Sequence, residues 1–497
     1  MHLKPLSVVF LLLSSSLMQS QTVTSFEGID ASQLTTRRLD VDPNGAVGTL
    51  HFMEWVNTYY QAYDKSTFAP VWATPQNGTQ PWHQHNMPNC YNVAGDGIIT
   101  FDRVADRWVI AVRSSSNGNY YYCLAVSNTG NLTSNTFAWS TYQFLLNPIL
   151  GTNAFGHVYF PDWPRLGTWA DAYYVTFNLL DPDHKFKEIG VVACALDRLN
   201  IIKGLNPRAP QCFSDPNPIP STGSVYLSHS LIPADLEGTT APPAGRDEFM
   251  VSIQNPLVDG FTTTSSSLNL WDFHVDWGTP SNSRFSRSSL SVAPYTPGCY
   301  NPTNVLNALC VPEPAINPAT GAHYRIDSVG DRIMPRLAYR NFVTYESFLF
   351  SFTVQVAAAS KQTGIRWFEL RGSGIPHVAR TGRIDPDNSL FRFLPGIAQD
   401  RVGNVAVGYS VSSATTHPGI KAAWWPLGST TPTEILIQNG SGDEENSWHW
   451  GDYTSMTVDP IDNCTFWYVN QYLASNQTET SINWKTRIGN FKISTCH

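Results

Sequence analysis

Three stretches of the chain carry the same hairpin, and that recurrence limits the fold more than any other feature. Ile99-Thr-Phe-Asp102-Arg-Val-Ala-Asp106-Arg-Trp-Val, Ile397-Ala-Gln-Asp400-Arg-Val-Gly-Asn404-Val-Ala-Val and Met456-Thr-Val-Asp459-Pro-Ile-Asp-Asn463-Cys-Thr-Phe align without gaps. Each reads as strand, Asp, three residues, Asp or Asn, strand. The first acid suits the turn's own amides, and the second position tolerates a left-handed backbone. Looser copies open at Trp163-Pro-Arg-Leu-Gly, Ile232-Pro-Ala-Asp-Leu and Met334-Pro-Arg-Leu-Ala, and Leu394-Pro-Gly-Ile-Ala opens the Asp400 copy in the same style. Asp400 and Asp459 are 59 residues apart. A unit of that length holding four strands is a propeller blade.

The segments between these landmarks agree. Helical periodicity is nearly absent. Alternating runs rich in β-branched and aromatic residues recur at Trp108–Val112, Tyr173–Phe177, Phe249–Ile253, Phe348–Val356, Val405–Tyr409 and Phe466–Val469. With 34 Gly and 34 Pro to punctuate them, the chain reads as all-β. We expect a six-bladed β-propeller of sialidase-like type, with seven blades as the alternative, spanning 47–497. The blades fall at about 90–145, 155–205, 225–280, 325–372, 388–428 and 446–495. Residues 47–65 are left to close the ring, after an N-terminal extension at 21–46. A pair of β-sandwiches is the competing fold. The recurrence and the lack of a linker argue against it, since the Ser/Pro-rich stretches at 214–222 and 239–245 read as surface loops.

Residues 1–20 read as a signal peptide: Lys4 supplies the positive end, Leu6–Leu13 the apolar segment, and Ser14–Ser20 a polar stretch of mostly small residues. Secretion follows, to the exterior or a periplasm. The eight cysteines all lie beyond it, without zinc spacing, so four disulfides are expected. Pairing in sequence order closes the shortest loops: Cys90–Cys123, Cys194–Cys212, Cys299–Cys310 and Cys464–Cys496. Asn77, Asn131, Asn439, Asn463 and Asn476 begin glycosylation sequons, a number that chance supplies in an Asn-, Ser- and Thr-rich chain. A net charge of −8 argues against a nucleic-acid partner. No later apolar run approaches the roughly 18 residues of a membrane span. A monomer is expected.

Three longer runs carry a family resemblance. Trp450-Gly-Asp-Tyr-Thr-Ser-Met-Thr-Val-Asp-Pro-Ile-Asp-Asn-Cys-Thr-Phe-Trp-Tyr, Asp331-Arg-Ile-Met-Pro-Arg-Leu-Ala-Tyr-Arg-Asn-Phe and Leu270-Trp-Asp-Phe-His-Val-Asp-Trp together resemble a family of large secreted bacterial proteins akin to sialidase-type β-propellers. The resemblance implies the fold and brings no established activity. The Asp-box of true sialidases has only a partial counterpart at Ser127-Asn-Thr-Gly-Asn-Leu-Thr, without its acid, and Phe391-Arg392-Phe-Leu-Pro is the nearest text to their opening motif.

Candidate chemistry follows from propeller geometry, because residues just before each innermost strand gather round the central funnel. Asp96, Arg165, Asp235, Arg332, Arg336, Arg392, Trp450, Asp452 and Tyr453 hold those positions. Arg165, Arg332, Arg336 and Arg392 suit a carboxylate or phosphate ligand, with Trp450 beside them. Asp96 and Asp452 are candidate acids, and Tyr453 a candidate nucleophile of the sialidase kind. Arg165, Arg336 and Arg392 are expected in one cavity with Asp452 or Tyr453. Trp424-Trp425 and Trp448–Trp450 are candidate sugar platforms, weighed against blade packing. His83 and His85 share a face if that segment is extended, a copper or zinc arrangement weighed against a polar loop. The acidic run Asp443-Glu444-Glu445 is weighed as a calcium ligand against a solvated loop, and no motif demands a metal or cofactor. Two functions follow: a secreted propeller binding a glycan or small anionic ligand in its funnel, or a sialidase-like glycoside hydrolase acting on an acidic sugar.

Overall fold

The computed structural model describes residues 23–93, 95–214, 230–254, 266–299, 309–357, 360–372, 374, 376–385, 389–445, 447 and 449–497. The segment 1–20 read as a signal peptide and Trp448 lie outside them. Strand accounts for 52% and helix for 5% of the chain. The described residues form seven four-stranded antiparallel meanders. Their first strands are Asn44–Val47, Ile98–Asp102, Phe160–Thr168, Ile232–Leu236, Leu337–Asn341, Phe391–Gln399 and Ser455–Val458. These pack side by side in chain order, and the last returns to the first, so the ring is closed around them. No helix among the described residues is long and apolar enough to cross a membrane.

The expected hairpin turns are present. Asp102 accepts from the Ala105 amide at 3.0 Å, Asp400 from Val402 at 3.0 Å and Asp459 from Ile461 at 2.9 Å. Asp106 and Asn463 take the left-handed backbone, whereas in the middle copy Gly403 takes it instead of Asn404. The acids also tie blades together. Asp102 holds Arg198 of the next blade at 2.6 and 2.8 Å, and Asp459 holds Lys65 at 2.8 Å.

Two expectations about the ring need correction. Residues 47–65 do not complete the last blade. They belong to a first blade of their own, Asn44–Val47, His51–Val56, Tyr59–Asp64 and Gln76–Asn77. The last blade is completed by Thr24–Asp30, from the stretch read as an extension, which pairs with Trp484–Lys492 (Phe26 opposite Ile488). The fourth and fifth blades fuse into one eight-stranded sheet, because Ala234–Leu236 pair in parallel with Leu337–Tyr339. The outermost strands Gln211–Ser214, Arg284–Val292, His377–Ile384 and Thr433–Gln438 lie beyond the expected blade ends. They are largely solvent-facing, so their side chains alternate too weakly to announce them.

All eight cysteines pair in sequence order. Cys194 and Cys212 sit directly opposite on neighbouring strands, and Cys464–Cys496 fastens the chain end to the last blade. The insertion closed by Cys299–Cys310 contributes a small hairpin, Val311–Ile316 with His323–Ile326, packed on the sixth blade. Its apolar side joins Leu34, Val41, Leu394, Trp450 and Trp484 in one core. The acidic run is part of this joint rather than a solvated loop. Asp443 and Glu444 are buried, and their oxygens accept from Ala315 N and His417 and from Gln477 and Ser447.

Ring closure rests on a buried acid. Glu54, fully buried in the first blade, accepts from Ile29 N in the closing strand (2.6 Å), from Tyr63 Oη (2.8 Å) and from Thr486 Oγ1 (2.8 Å). Burial raises its pKa to about 7 despite these donors. An acid whose pKa is higher folded than unfolded stabilises fully below the unfolded value and loses that contribution as pH rises through the folded one. Unfolding free energy should therefore fall between about pH 4.5 and 7 by up to ~3 kcal/mol from this group alone. Glu54→Gln should remove that slope in denaturant titrations run across the same pH range.

Candidate functional site

The backbone turns through the left-handed region at corresponding places in several blades: Asp42 (φ 47°), Asp96 (φ 57°), Trp163 (φ 52°) and Leu394 (φ 50°). An Asp accepts this readily. A Trp followed by Pro does not, so Trp163 is held there by what surrounds it. Its ring lies 4.2 Å from the Arg165 guanidinium, 4.8 Å from that of Arg332 and 5.4 Å from the Tyr453 ring. The Tyr453 ring lies 4.3 Å from the same Arg165 guanidinium.

Around this stack, at the mouth of the ring, charged groups from separate blades converge. Arg113 pairs with Asp96 at 3.0 Å and reaches Asp162 at 3.9 Å. Arg332 pairs with Asp331 at 2.8 Å and reaches Glu188 at 3.9 Å. Asp452 Oδ2 lies 3.8 Å from His449 Nδ1. Asp42, Asp96, Asp162, Asp327 and Arg332 are half-buried, whereas Arg165 and Tyr453 are buried and form the floor.

Crowded acids with limited water cannot all ionise. Burial, then Asp96 and Asp452, hold Asp42 well above the usual carboxylate range. Burial and Asp96 raise Asp162 against Arg113 and Arg332, and burial with Asp331 and Asp452 pushes Asp327 to about 7. His449 goes the other way: burial opposes its charge, but Asp452, Asp40 and Asp42 outweigh it and raise the imidazole to about 9. The mouth thus offers a proton donor, carboxylates and cations within one small area.

A cavity lies on the axis beneath the floor, lined by Arg165, Tyr453, Ile98, Ile232, Asp235 and Arg336 among others. Its volume is about 50 Å³. One water needs roughly 10–15 Å³ by this measure, so the axis has no room for a sugar ring. Beyond it the axis is shut by ions. Arg336 binds Asp235 (2.7 Å) and Glu237 (2.8 Å), and Glu237 also takes Arg103 (2.6 Å) and the Val458 amide (3.0 Å).

The structure therefore gathers Asp96, Arg165, Arg332, Asp452 and Tyr453 and separates the other candidates. Arg336 lines the cavity but is consumed by Asp235 and Glu237. Arg392 lies inside its blade, bound to Glu434 at 2.9 Å. Trp450 is in the core with Nε1 donated to Ser410. Trp424 and Trp425 pack against Phe491 and Trp367 between blades. His83 ends a short helix, Gln80–His83, and stacks on Tyr91 at 3.6 Å, so no extended strand aligns it with His85. Among the described residues, no group of three potential ligands is placed to hold a metal.

Asp42, Arg113, Asp162, Trp163 and His449 were not singled out by sequence. Asp42-Pro-Asn-Gly occupies the same place in its blade as Asp96-Gly-Ile-Ile, a match hidden while 47–65 was left outside the repeat. Beside the mouth, Arg113 lies 4.3 Å over Phe160, which meets Tyr120 and Phe186 edge to face. Phe186 is exposed, at 53%, and extends this cluster outward as an aromatic ledge.

No family model and no curated protein matches the sequence. Among solved structures the chain is similar to an α-L-arabinanase of Penicillium chrysogenum complexed with arabinobiose, at 9% identity and TM-score 0.35, covering 94% of this chain and 98% of that one. It is also similar to an α-L-arabinofuranosidase of Fusarium graminearum in complex with an iminosugar inhibitor, at 8% identity and TM-score 0.38, covering 95% and 98%. A third is an ulvan lyase bound to a GlcA–Rha3S repeat, at 8% identity and TM-score 0.35, covering 90% and 95%. The propeller assignment rests on the strand pairing above.

Two outcomes follow from the site. Arg336→Ala leaves Asp235 and Glu237 partly unpaired on the axis, so denaturant unfolding should show a loss of about 3–5 kcal/mol. In Asp452→Asn, the His449 imidazole should titrate at least one pH unit lower by NMR than in the parent protein.

Proposed function

We propose that this chain is a secreted, glycan-acting β-propeller that binds an oligosaccharide across the mouth of the ring. One observation carries the reading: a half-buried crown of Asp and Arg side chains from separate blades adjoins an exposed aromatic ledge. Sugar hydroxyls pair with carboxylates and guanidiniums, and the C–H faces of sugar rings stack on aromatic rings such as Phe186. Secretion is supported by the N-terminal segment and the four disulfides. The run from Trp450 to Tyr468 agrees with membership of the secreted bacterial propeller family it resembles.

Asp42 favours a second reading, glycoside hydrolysis. A carboxyl kept protonated beside other carboxylates is the arrangement that hydrolysis of a glycosidic bond requires. In that reading Asp42 protonates the leaving oxygen, and Asp96 or Asp162 serves the opposite face. Tyr453 suits a nucleophile poorly: burial and Asp96 hold its phenol well above its ordinary value, and its hydroxyl has no hydrogen-bonded base.

A glycan array followed by calorimetry tests the binding reading. Asp162→Asn and Arg332→Gln should each weaken binding about tenfold, equivalent to about 1.4 kcal/mol, with melting temperatures within a few degrees of the parent. Full affinity in both variants would place the site elsewhere. On a ligand so identified, Asp42→Asn should abolish release of reducing sugar while retaining binding.

A further inference from the structure

The turns that join first to second strands stand at the base of the ring, away from the mouth. Turn tips favour Gly, Asn, Asp and Ser. In five blades the tip is aliphatic instead: Leu50, Val104, Val343, Val402 and Ile461. All five are exposed, between 37% and 82%. Val343 is the extreme case, at φ 70°, a backbone conformation that a β-branched residue disfavours. Neither the turn nor the core gains from an aliphatic side chain at these places.

The five turns are neighbours, in the fifth, sixth, seventh, first and second blades, and each is fastened to the next. A Cβ on Gly403 would lie 3.3 Å from Leu427 and 3.8 Å from the Tyr345 hydroxyl in the fifth blade's turn. Arg401 N donates to Asn463 O at 2.8 Å. Ile461 and Leu50 line one groove, bridged by Lys65 and Asp459 at 2.8 Å. Thr49 Oγ1 donates to Asp106 at 2.8 Å. Leu427, exposed at the other turn of the sixth blade, widens the strip. The result is an apolar arc centred on Ile461. It ends at the third blade, where Trp169 in the turn is buried, and at the fourth, where the connection 237–247 is longer. A contiguous exposed apolar patch of this kind marks a contact surface.

The charges along the arc indicate what covers it. Arg401, on the sixth-blade side of Ile461, is exposed, and among the described residues no carboxylate lies within ion-pair distance of it. Asp64 and Asp106, on the first- and second-blade side, accept from hydroxyls, and among the described residues neither has a cation within that distance. One arm of the arc is thus left positive and the other negative. A lipid surface selects an excess of basic groups around apolar tips. A two-fold contact between identical faces selects self-complementarity, which opposite arms about an apolar centre supply.

We propose that the base of the ring is an interface with a second copy of this chain. The two rings meet base to base about a two-fold axis through the seventh blades, with Ile461 against its counterpart. The axis exchanges the arms, so Arg401 of each copy faces the Asp64–Asp106 arm of the other. This dimer takes the place of the monomer expected from sequence. Both mouths are left facing outward, and the contact does not depend on what they bind.

Sedimentation equilibrium of the purified protein at micromolar concentration, without glycan, reads the contact, and a dimer is expected. Ile461→Asp, at an exposed position outside the core, should raise the dissociation constant about tenfold or more while the melting temperature stays within a few degrees. Arg401→Glu should weaken the dimer likewise, and Asp106→Lys added to the same chain should restore it, because the axis then opposes two exchanged arms. A monomeric parent, an unaltered dimer in Ile461→Asp, or no restoration in a folded double variant would overturn the proposal. A monomeric parent that sediments with phosphatidylglycerol vesicles would overturn it in favour of lipid. Because no glycan enters the measurement, failure of this interface stays distinct from failure of the mouth site.

Discussion

One carboxylate holds the centre of the ring. Glu237 leaves the fourth blade and accepts from Arg103 in the first turn of the second, Arg336 before the fifth and the Val458 amide of the seventh. Burial works against its charge, and the three nearby arginines overcome it, so its pKa lies below the ordinary value. Such a knot exists only when four blades are in place at once, because any one missing partner leaves a buried ion uncompensated. Closure of the ring is therefore linked to neutralisation of its axis. Glu54 makes a similar connection at the seam, where Thr24–Asp30 joins the last strand.

That knot also decides where chemistry is available. It shuts one end of the axis, and the cavity above it is too small for a sugar. Ligand-sized contact is left to the opposite end, where the innermost strands begin. The two ends of those strands divide the work. Asp102, Asp400 and Asp459 at the far ends cap turns, and two of them clamp neighbouring blades. Asp42, Asp96 and Asp162 at the near ends stand half-buried, with Arg113 reaching only Asp96 and Asp162. Trp163, in a backbone conformation it does not favour, is the pivot on which Arg165 and Arg332 are stacked.

Much of the architecture was legible because it is local. A hairpin needs an acid to cap its turn within a few residues, and the Asp-x-x-x-Asp/Asn spacing records that need. Disulfides closing short loops were legible for the same reason. The first blade was read only as ring-closing strands or an alternative seventh blade, because its strands are short and its turn carries Asn57 without the paired acids. The fusion of the fourth and fifth blades joins strands about a hundred residues apart, and no local pattern announces it.

The candidate site shows the same division. The sequence by itself determined which positions sit at the strand starts, because a repeat fixes height along the axis. Asp96, Arg165, Asp452 and Tyr453 were found this way. Tertiary structure alone decided their company. Arg336 occupies an equivalent height and is spent on Asp235 and Glu237, and Arg392 turns into its own blade toward Glu434. Arg165 meets two aromatic rings, and Asp96 acts on it only at longer range. The repeat says nothing of what the adjoining blade presents, and for a buried charge that neighbour settles whether it holds the fold together or stays available to a ligand.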